Sequence, residues 1–194
     1  MRPKRRLTIA DVMLFVPAAA VGTLILRSYM PGFGQQLAYI PTIAADPYGF
    51  WRAYLWLHGP GSCVIIPWMA AMIAIRLRRP RPRLIRFQPG FVACVAVMVS
   101  LLPGIAWFLT IRHRPGFQRA GAFEQTWAIA TNWTETAVLG AWLALLISRK
   151  WRSEPSWVDR MGRVLGLYWI VSLCISLALN WMQALQTFLS RWMS

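Results

Sequence analysis

The sequence has few acidic residues, few cysteines and little charge overall. Only 6 of its 194 residues are Asp or Glu, whereas 21 are Lys or Arg, and charged residues make up 14% of the chain. A soluble domain carries about 25% charged residues, so this shortage argues against an ordinary soluble domain. The three cysteines, Cys63, Cys94 and Cys174, have neither CxxC nor metal-ligand spacing. We expect them to be apolar packing residues, and we predict no metal and no cofactor.

Apolar residues are correspondingly abundant, at 57% of the chain. They recur in runs of roughly 18 residues or more, the length that a helix needs to cross a bilayer. The sequence therefore predicts an all-α, polytopic integral membrane protein, with residues 1–194 forming a single domain of about five transmembrane helices. The predicted spans are 9–26, 51–75, 91–111, 127–147 and 164–189.

The basic residues lie mainly on one side of these spans. The N-terminal tail, the second-to-third joint and the fourth-to-fifth joint together hold fifteen of the 21 Lys and Arg residues. The positive-inside rule places that side in the cytoplasm. We therefore predict a cytoplasmic N-terminus and an external C-terminus, in a multi-pass protein of a bacterial inner membrane.

The most basic joint reads RLRRPRPRLIR, residues 76–86. In isolation it resembles a nucleic-acid-binding arm, but between two spans it becomes a short cytoplasmic hairpin. We therefore predict no nucleic-acid partner and expect contacts with anionic lipid head groups, worth about 1 kcal/mol for each basic residue near the surface. The residues expected to make these contacts are Arg76, Arg78, Arg79, Arg81 and Arg83.

The first span has two interpretations. A basic start followed by an apolar run and the small residues 18–20 is typical of a cleaved signal peptide. The apolar run nevertheless continues to Leu26, and Thr8 and Asp11 have the spacing of a capping box, in which each side chain bonds the other residue's backbone N–H. These features favour an uncleaved helix, and cleavage would leave four spans.

The segment RRLTIADVMLFVPAAAVG, residues 5–22, combines a basic start, a Thr-Ile-x-Asp turn and an Ala/Val-rich span. It resembles the opening of small, uncharacterised multi-pass membrane proteins of planctomycete bacteria. The resemblance covers fewer than 20 of the 194 residues. It implies a bacterial inner-membrane location and no particular activity.

Residues 27–52 are predicted to form the longest external joint, with the second helix starting near Asp46-Pro47, where Asp caps the helix and Pro takes its first position. That helix then meets HGPGS, residues 58–62. Pro60 removes one helical hydrogen bond, and Pro67 adds a second irregularity. An interrupted helix is either a plain kink or a ligand site, as in many transporters.

Polar residues form seams on three of the predicted helices. At 100° per residue, each set lies on one face of its helix. Because lipid-facing polar groups are costly, we expect the seams to face one another inside the bundle. Estimated depths allow a hydrogen bond between Glu135 and Asn180, with His58 reached through Ser62 or water. The seams comprise Tyr54, His58 and Ser62; Thr131, Asn132 and Glu135; and Ser172, Ser176, Asn180, Gln183 and Thr187.

Glu135 is the most informative residue, because a carboxylate near mid-membrane suggests function by default. Two interpretations stay open. Glu135 either hydrogen-bonds its neighbours as packing glue, which the small residues Ala137, Gly140, Ala141 and Ala144 favour, or it carries a proton, a cation or a polar ligand.

Three functions follow, in the order that the sequence favours. The first is an accessory or structural membrane component within a larger complex or a homo-oligomer. The second is a small proton- or ion-coupled transporter built on Glu135, Asn180 and the break at Pro60. The third is an intramembrane enzyme using His58 and Glu135, although no catalytic residue is assigned, since neither HExxH nor a nucleophile motif is present.

Overall fold

A computed structural model of the chain describes residues 8–39, 54, 56–78, 87–111, 119–152 and 156–193. The described residues are almost entirely helical and contain no β-strand. This confirms the predicted helical class. The helices are α1 (Ile9–Tyr39), α2 (Ser62–Leu77), α3 (Pro89–Ile111), α4 (Arg119–Ile147) and α5 (Trp157–Met193), and a π-helical turn (Leu57–Gly61, the π turn) leads directly into α2.

The start of α1 is the capping box that the sequence predicts. The Thr8 backbone N–H donates to Asp11 Oδ2 at 3.1 Å, and the Asp11 N–H donates to Thr8 Oγ1 at 3.3 Å. These bonds satisfy backbone donors that a helix start otherwise leaves without an intrahelical partner. The helix therefore begins at Ile9.

The end of α1 differs from the prediction. The helix continues to Tyr39, so residues 27–39 are helical and do not belong to an extended joint. The predicted start at Asp46-Pro47 lies outside the described residues.

The start of α5 also differs, because it lies at Trp157 and not near residue 164. Ser156 explains the earlier start, since its Oγ accepts a hydrogen bond from the Asp159 backbone N–H at 3.3 Å. A serine two or three residues before a free helical N–H is a favourable N-cap. The sequence SWVD therefore held a helix-start signal ahead of the apolar run.

The helices pack around one shared core. Here α3 lies against both α4 and α5, while α1 lies against α2. Trp169 of α5 is fully buried in the core, and its indole N–H approaches the Met69 sulfur at 3.4 Å. Val97 and Val138 are also fully buried, so α3 and α4 contribute to the same core.

At one end of the bundle, α3 and α5 come into backbone contact. A Cβ atom added to Gly162 would lie 2.6 Å from the Gly90 carbonyl oxygen, so only glycine permits this approach. The Gly90 N–H donates to Asp159 Oδ1 at 3.0 Å, and the Trp142 indole N–H donates to the Pro89 carbonyl at 2.9 Å. These contacts join the starts of α3 and α5, together with α4, into one fixed corner.

Several of the described helices are long and apolar enough to cross a membrane. The stretches that qualify are Ile9–Ser28, Leu57–Leu77, Pro89–Trp107 and Trp157–Leu189. In α4 the apolar part is shorter, Trp133–Ile147. Large apolar side chains such as Trp181 and Ile147 are exposed, at 74% and 81%. An apolar exterior of this kind is compatible with a lipid surrounding.

Candidate functional site

Glu135 lies near the middle of α4 and is only 1% exposed. It faces the π turn and the α5 helix. His58, Ser172 and Ser176 surround its carboxylate, and we call these four residues the His–Glu cluster. Three of the predicted seams therefore converge, one from each of the segments that the sequence indicated.

Both oxygens of the Glu135 carboxylate have partners. His58 Nε2 contacts Oε1 directly, and the Ser172 hydroxyl donates to the same oxygen at 2.9 Å. The Ser176 hydroxyl lies 3.2 Å from each carboxylate oxygen and 3.0 Å from the Ser172 carbonyl. Burying a carboxylate is costly, and hydrogen bonds to both of its oxygens lower that cost.

The hydrogen bonds also assign the protons of the cluster. His58 is 4% exposed, and its Nδ1 atom is buried without a hydrogen-bond partner. A proton on Nδ1 would bury an N–H group without an acceptor, which is rarer and less tolerated than an unused acceptor. We therefore assign a neutral imidazole that donates from Nε2 to an ionised Glu135. The His–Glu cluster then carries one negative charge.

The π turn places His58 in this position. Its five residues include Pro60, as expected for a helix in which proline removes a hydrogen bond. π-helical turns are rare and occur frequently at functional sites. The predicted interruption at Pro60 is confirmed. Pro67 is buried inside α2, which continues past it, so its missing N–H does not end the helix.

Side chains also bond the backbone carbonyls of the π turn, in addition to the Ser62 backbone N–H that bonds those of Leu57 and Gly59. The Ser62 hydroxyl donates to the Gly59 carbonyl at 2.8 Å and contacts the His58 carbonyl, and the Tyr168 hydroxyl donates to the Leu57 carbonyl. A Cβ atom on Gly61 would overlap the Tyr168 hydroxyl. Tyr168 can therefore reach the turn only because residue 61 is glycine.

The helices that carry the rest of the cluster also hold the π turn. Tyr168 precedes Ser172 by one turn of α5, and Trp127 of α4 donates its indole N–H to Ser62 Oγ at 2.7 Å. Sequence reasoning missed both residues. The spacing of four that joins Ser172 to Ser176 extends back to Tyr168, and this was the available signal. Trp127 had no comparable signal.

The structure changes two of the predicted contacts. Asn180 is exposed and does not bond Glu135, because the serines one and two turns earlier on α5 lie at the depth of the carboxylate. His58 contacts Glu135 directly and needs no bridge, while Ser62 bonds the π turn and Trp127. Thr131 is fully buried and donates to the Trp127 carbonyl at 2.9 Å. The side chains of Asn132 and Gln183 lie outside those that the structure describes.

Tyr54 lies one turn before His58, and its ring centroid is 4.2 Å from that of the imidazole, with 37° between the ring planes. The phenol ring therefore covers one side of the histidine. The spacing of four predicted that the two residues share one face of the helix, and the ring contact agrees with that.

The order of contacts around His58 differs from that of a hydrolase. Ser172 Oγ is 3.0 Å from Nε2, the same nitrogen that contacts Glu135. In a Ser-His-acid triad, the serine and the acid lie at opposite ring nitrogens, so that the acid orients the base. The His–Glu cluster therefore lacks the geometry that would activate Ser172 as a nucleophile.

A second polar region lies at the corner formed by α3 and α5. Arg76, Gln88 and Asp159 are each buried, and together with Met72 and Phe91 they line a cleft. The space that the centre of a water molecule can occupy in this cleft is about 10 Å³, which is enough for about one water.

Among the described residues, no group of three or more His, Cys, Asp or Glu side chains could hold a metal ion.

Arg76 is therefore a correction to the predicted lipid contacts, because its side chain is only 5% exposed. It lies in the last turn of α2, where residues of α3 and α5 surround it. Arg78 is exposed and donates to the Ala10 carbonyl at 3.1 Å. Arg79, Arg81 and Arg83 lie outside the described residues.

No protein-family model, curated protein sequence or solved structure matches this chain. The resemblance of residues 5–22 to planctomycete membrane proteins stays a prediction.

Proposed function

We propose that the chain is a multi-pass protein of a bacterial inner membrane, with its N-terminus in the cytoplasm. The apolar lengths of the described helices and the bias of basic residues toward one side support this topology. In this frame α4 crosses the bilayer with its polar part covered by the π turn and α5. The π turn then lies toward the external side, and the Asp159 corner lies toward the cytoplasm.

We further propose that the His–Glu cluster takes up and releases a proton inside the bilayer, in a small proton-coupled transporter. The observation that carries this proposal is the direct contact between His58 and the buried Glu135. An ionisable pair within a membrane faces the bundle interior and marks proton relays and transport pathways. Histidine is also the side chain that changes charge most readily near neutral pH.

A role as packing glue explains the pair less well. Interhelical hydrogen bonds in membranes contribute about 0.6 kcal/mol on average, and apolar residues of similar volume often stabilise a buried site as well as an ion pair does. The core around Trp169 already packs α3 and α5 together. Apolar residues at these two positions would therefore stabilise the bundle about as well as the two ionisable groups do.

The test uses purified protein in proteoliposomes that contain a pH-reporting dye. External Na⁺, K⁺, small organic cations and small carboxylates are added in turn, and the internal pH is followed for the wild type and for Glu135→Gln. We expect at least one solute to drive a pH change that the variant abolishes. Ser100→Ala is the matched control, because Ser100 bonds only the Val97 carbonyl of its own helix in the described contacts. Equal pH changes in the wild type and Glu135→Gln for every solute would contradict the proposal.

A second candidate is an accessory component of a larger complex or a homo-oligomer. Gly140 is exposed, and a Cβ atom added there would meet nothing within 4 Å. Ala144, one turn further along α4, is exposed as well. Small residues let membrane helices approach closely, and none of the described helices uses this face at Gly140. Gly140→Leu is expected to dissociate an oligomer or complex in mild detergent. If the wild type already runs as a lone monomer, this candidate fails.

A further inference from the structure

The buried position of Glu135 raises the question of how a proton reaches it. Its carboxylate is enclosed by the two serines of α5 and by His58, and Thr131 and Thr134 of its own helix bond backbone carbonyls. Serine and threonine hydroxyls do not gain a proton near neutral pH. Among these neighbours, the imidazole is the group that can take up a proton at one ring nitrogen, hold it as a cation and release one from the other nitrogen.

The titratable groups around His58 come from three directions. Tyr54 stacks on its ring from the preceding turn, Glu135 contacts it from α4, and Tyr168 of α5 bonds the carbonyl of the adjacent Leu57. Cys63 follows the π turn at the start of α2 and is fully buried. A neutral phenol or thiol is a weak acid near neutral pH, which leaves the imidazole as the group that exchanges protons with Glu135.

His58 has the geometry of a relay. Its Nε2 atom faces Glu135, whereas its Nδ1 atom, on the other edge of the ring, is buried and unpartnered. A buried nitrogen with an unused lone pair is a place for a hydrogen-bond donor, and in a narrow polar space the smallest donor is water. Hydrogen bonds from Ser62 and Tyr168 to carbonyls of the π turn hold the backbone at His58 in place, and this fixes where the imidazole ring starts from.

We propose that His58 relays protons between a water molecule at Nδ1 and the Glu135 carboxylate. This inference rests on the proposed proton-coupled function and names the route to the same site. A hydronium at Nδ1 gives one proton to the ring and leaves as water, and the Nε2 proton then passes to Glu135 Oε1. The imidazole ends neutral, with its proton on Nδ1, and Glu135 ends neutral and protonated. One proton enters, so the charge of the cluster changes from one negative to zero, and the reverse sequence releases it.

In the proposed topology the π turn lies toward the outside, so the relay serves external protons. The test follows the infrared C=O stretch of the protonated Glu135 carboxyl group in proteoliposomes after a rapid drop in external pH. The band is assigned by its absence in Glu135→Gln. In His58→Gln, an amide N–H can still donate to Glu135 from about the position of Nε2, but the amide cannot carry a second proton.

We expect the band to appear about a hundredfold more slowly in His58→Gln, as is typical when a general acid-base group is removed. In His58→Ala, added imidazole should restore the rate, which a purely structural role would not allow. Circular dichroism confirms that each variant is folded, and a rescued rate shows that the site itself is intact.

The outcomes separate this inference from the proposed function. If the band appears in His58→Gln as fast as in the wild type, the relay is overturned while Glu135 still titrates. If imidazole fails to speed up folded His58→Ala, the relay is overturned as well. If the wild type shows no pH-dependent carboxyl band, the relay and the proposed proton chemistry both fail.

Discussion

Two buried carboxylates of the same bundle, Glu135 near the middle of α4 and Asp159 at the start of α5, are held in different ways. Asp159 accepts the Gly90 backbone N–H at 3.0 Å and lies 3.3 Å from Arg163 Nε, one turn along its own helix. Among the described residues, Glu135 is held by side chains, namely those of two serines and a histidine.

The difference shows which carboxylate can change its protonation state. A backbone N–H at a helix start is a fixed donor and a guanidinium is permanently charged, so these two neighbours of Asp159 neither take up nor release a proton. The serine hydroxyls can rotate, and the imidazole can exchange its proton, so the surroundings of Glu135 can adapt to either state. We therefore assign a structural role to Asp159 and a functional role to Glu135.

The largest expected effect comes from filling the backbone contact at the Asp159 corner. Gly162→Val would place a side chain against the Gly90 carbonyl, and overpacking of this kind costs about 1–3 kcal/mol or more. Thermal unfolding in detergent should show a large loss of stability. Gly140→Val is the matched control, since open space surrounds Gly140. Equal stability of the two variants would show that the corner is not tightly packed.

Exchanging each carboxyl group for its amide separates the two regions. Asp159→Asn should lower stability by about 1–3 kcal/mol, because it weakens buried charged hydrogen bonds, while the remaining folded protein still takes up protons. Glu135→Gln should change stability less and abolish proton uptake. The measurements are thermal unfolding and the proteoliposome pH assay. The contrast fails if Asp159→Asn abolishes proton uptake in folded protein.

Tyr168→Phe tests whether the π turn positions His58. The variant keeps the ring, which packs edge-on against Trp169, but loses the hydrogen bond to the Leu57 carbonyl. We expect a stability loss of about 1 kcal/mol together with slower protonation of Glu135 in the infrared experiment. An unchanged protonation rate would mean that the turn holds His58 without Tyr168.

Asn180→Leu is expected to have the smallest effect. Asn180 is exposed and makes no contact with the His–Glu cluster in the described structure. Protonation of Glu135 should keep its wild-type rate, and stability should change by less than about 0.5 kcal/mol, as for most surface substitutions. A clear loss of proton uptake would contradict this expectation and would support the hydrogen bond between Asn180 and Glu135 that the sequence predicted.

The sequence indicated much of this arrangement, because periodicity carries the direction of each polar side chain. The faces of His58, Glu135 and Ser176 followed from the helical repeat, and the break at Pro60 followed from its missing N–H. Depth was harder to predict, since it depends on where each helix starts. The early start of α5 at Trp157 followed from the Ser156 cap, whereas the predicted depths used the apolar run alone and favoured Asn180 over Ser172.

Tertiary contacts account for what the sequence could not show. The bond from Trp127 to Ser62 and the bond from Tyr168 to the Leu57 carbonyl depend on which helices become neighbours. The burial of Arg76 depends in the same way on the contact of α2 with α3 and α5. Helical periodicity predicts the face of the helix on which such a side chain lies, but it does not predict which residue the side chain contacts.

The central claim is that Glu135 exchanges a proton while buried in the bundle. The most direct measurement is an infrared difference spectrum of the protein in lipid at two pH values, with Glu135→Gln as the reference. The account predicts a carboxyl C=O band that appears at the lower pH in the wild type and is missing in the variant. A spectrum without that band, or one that is identical in Glu135→Gln, would contradict the claim.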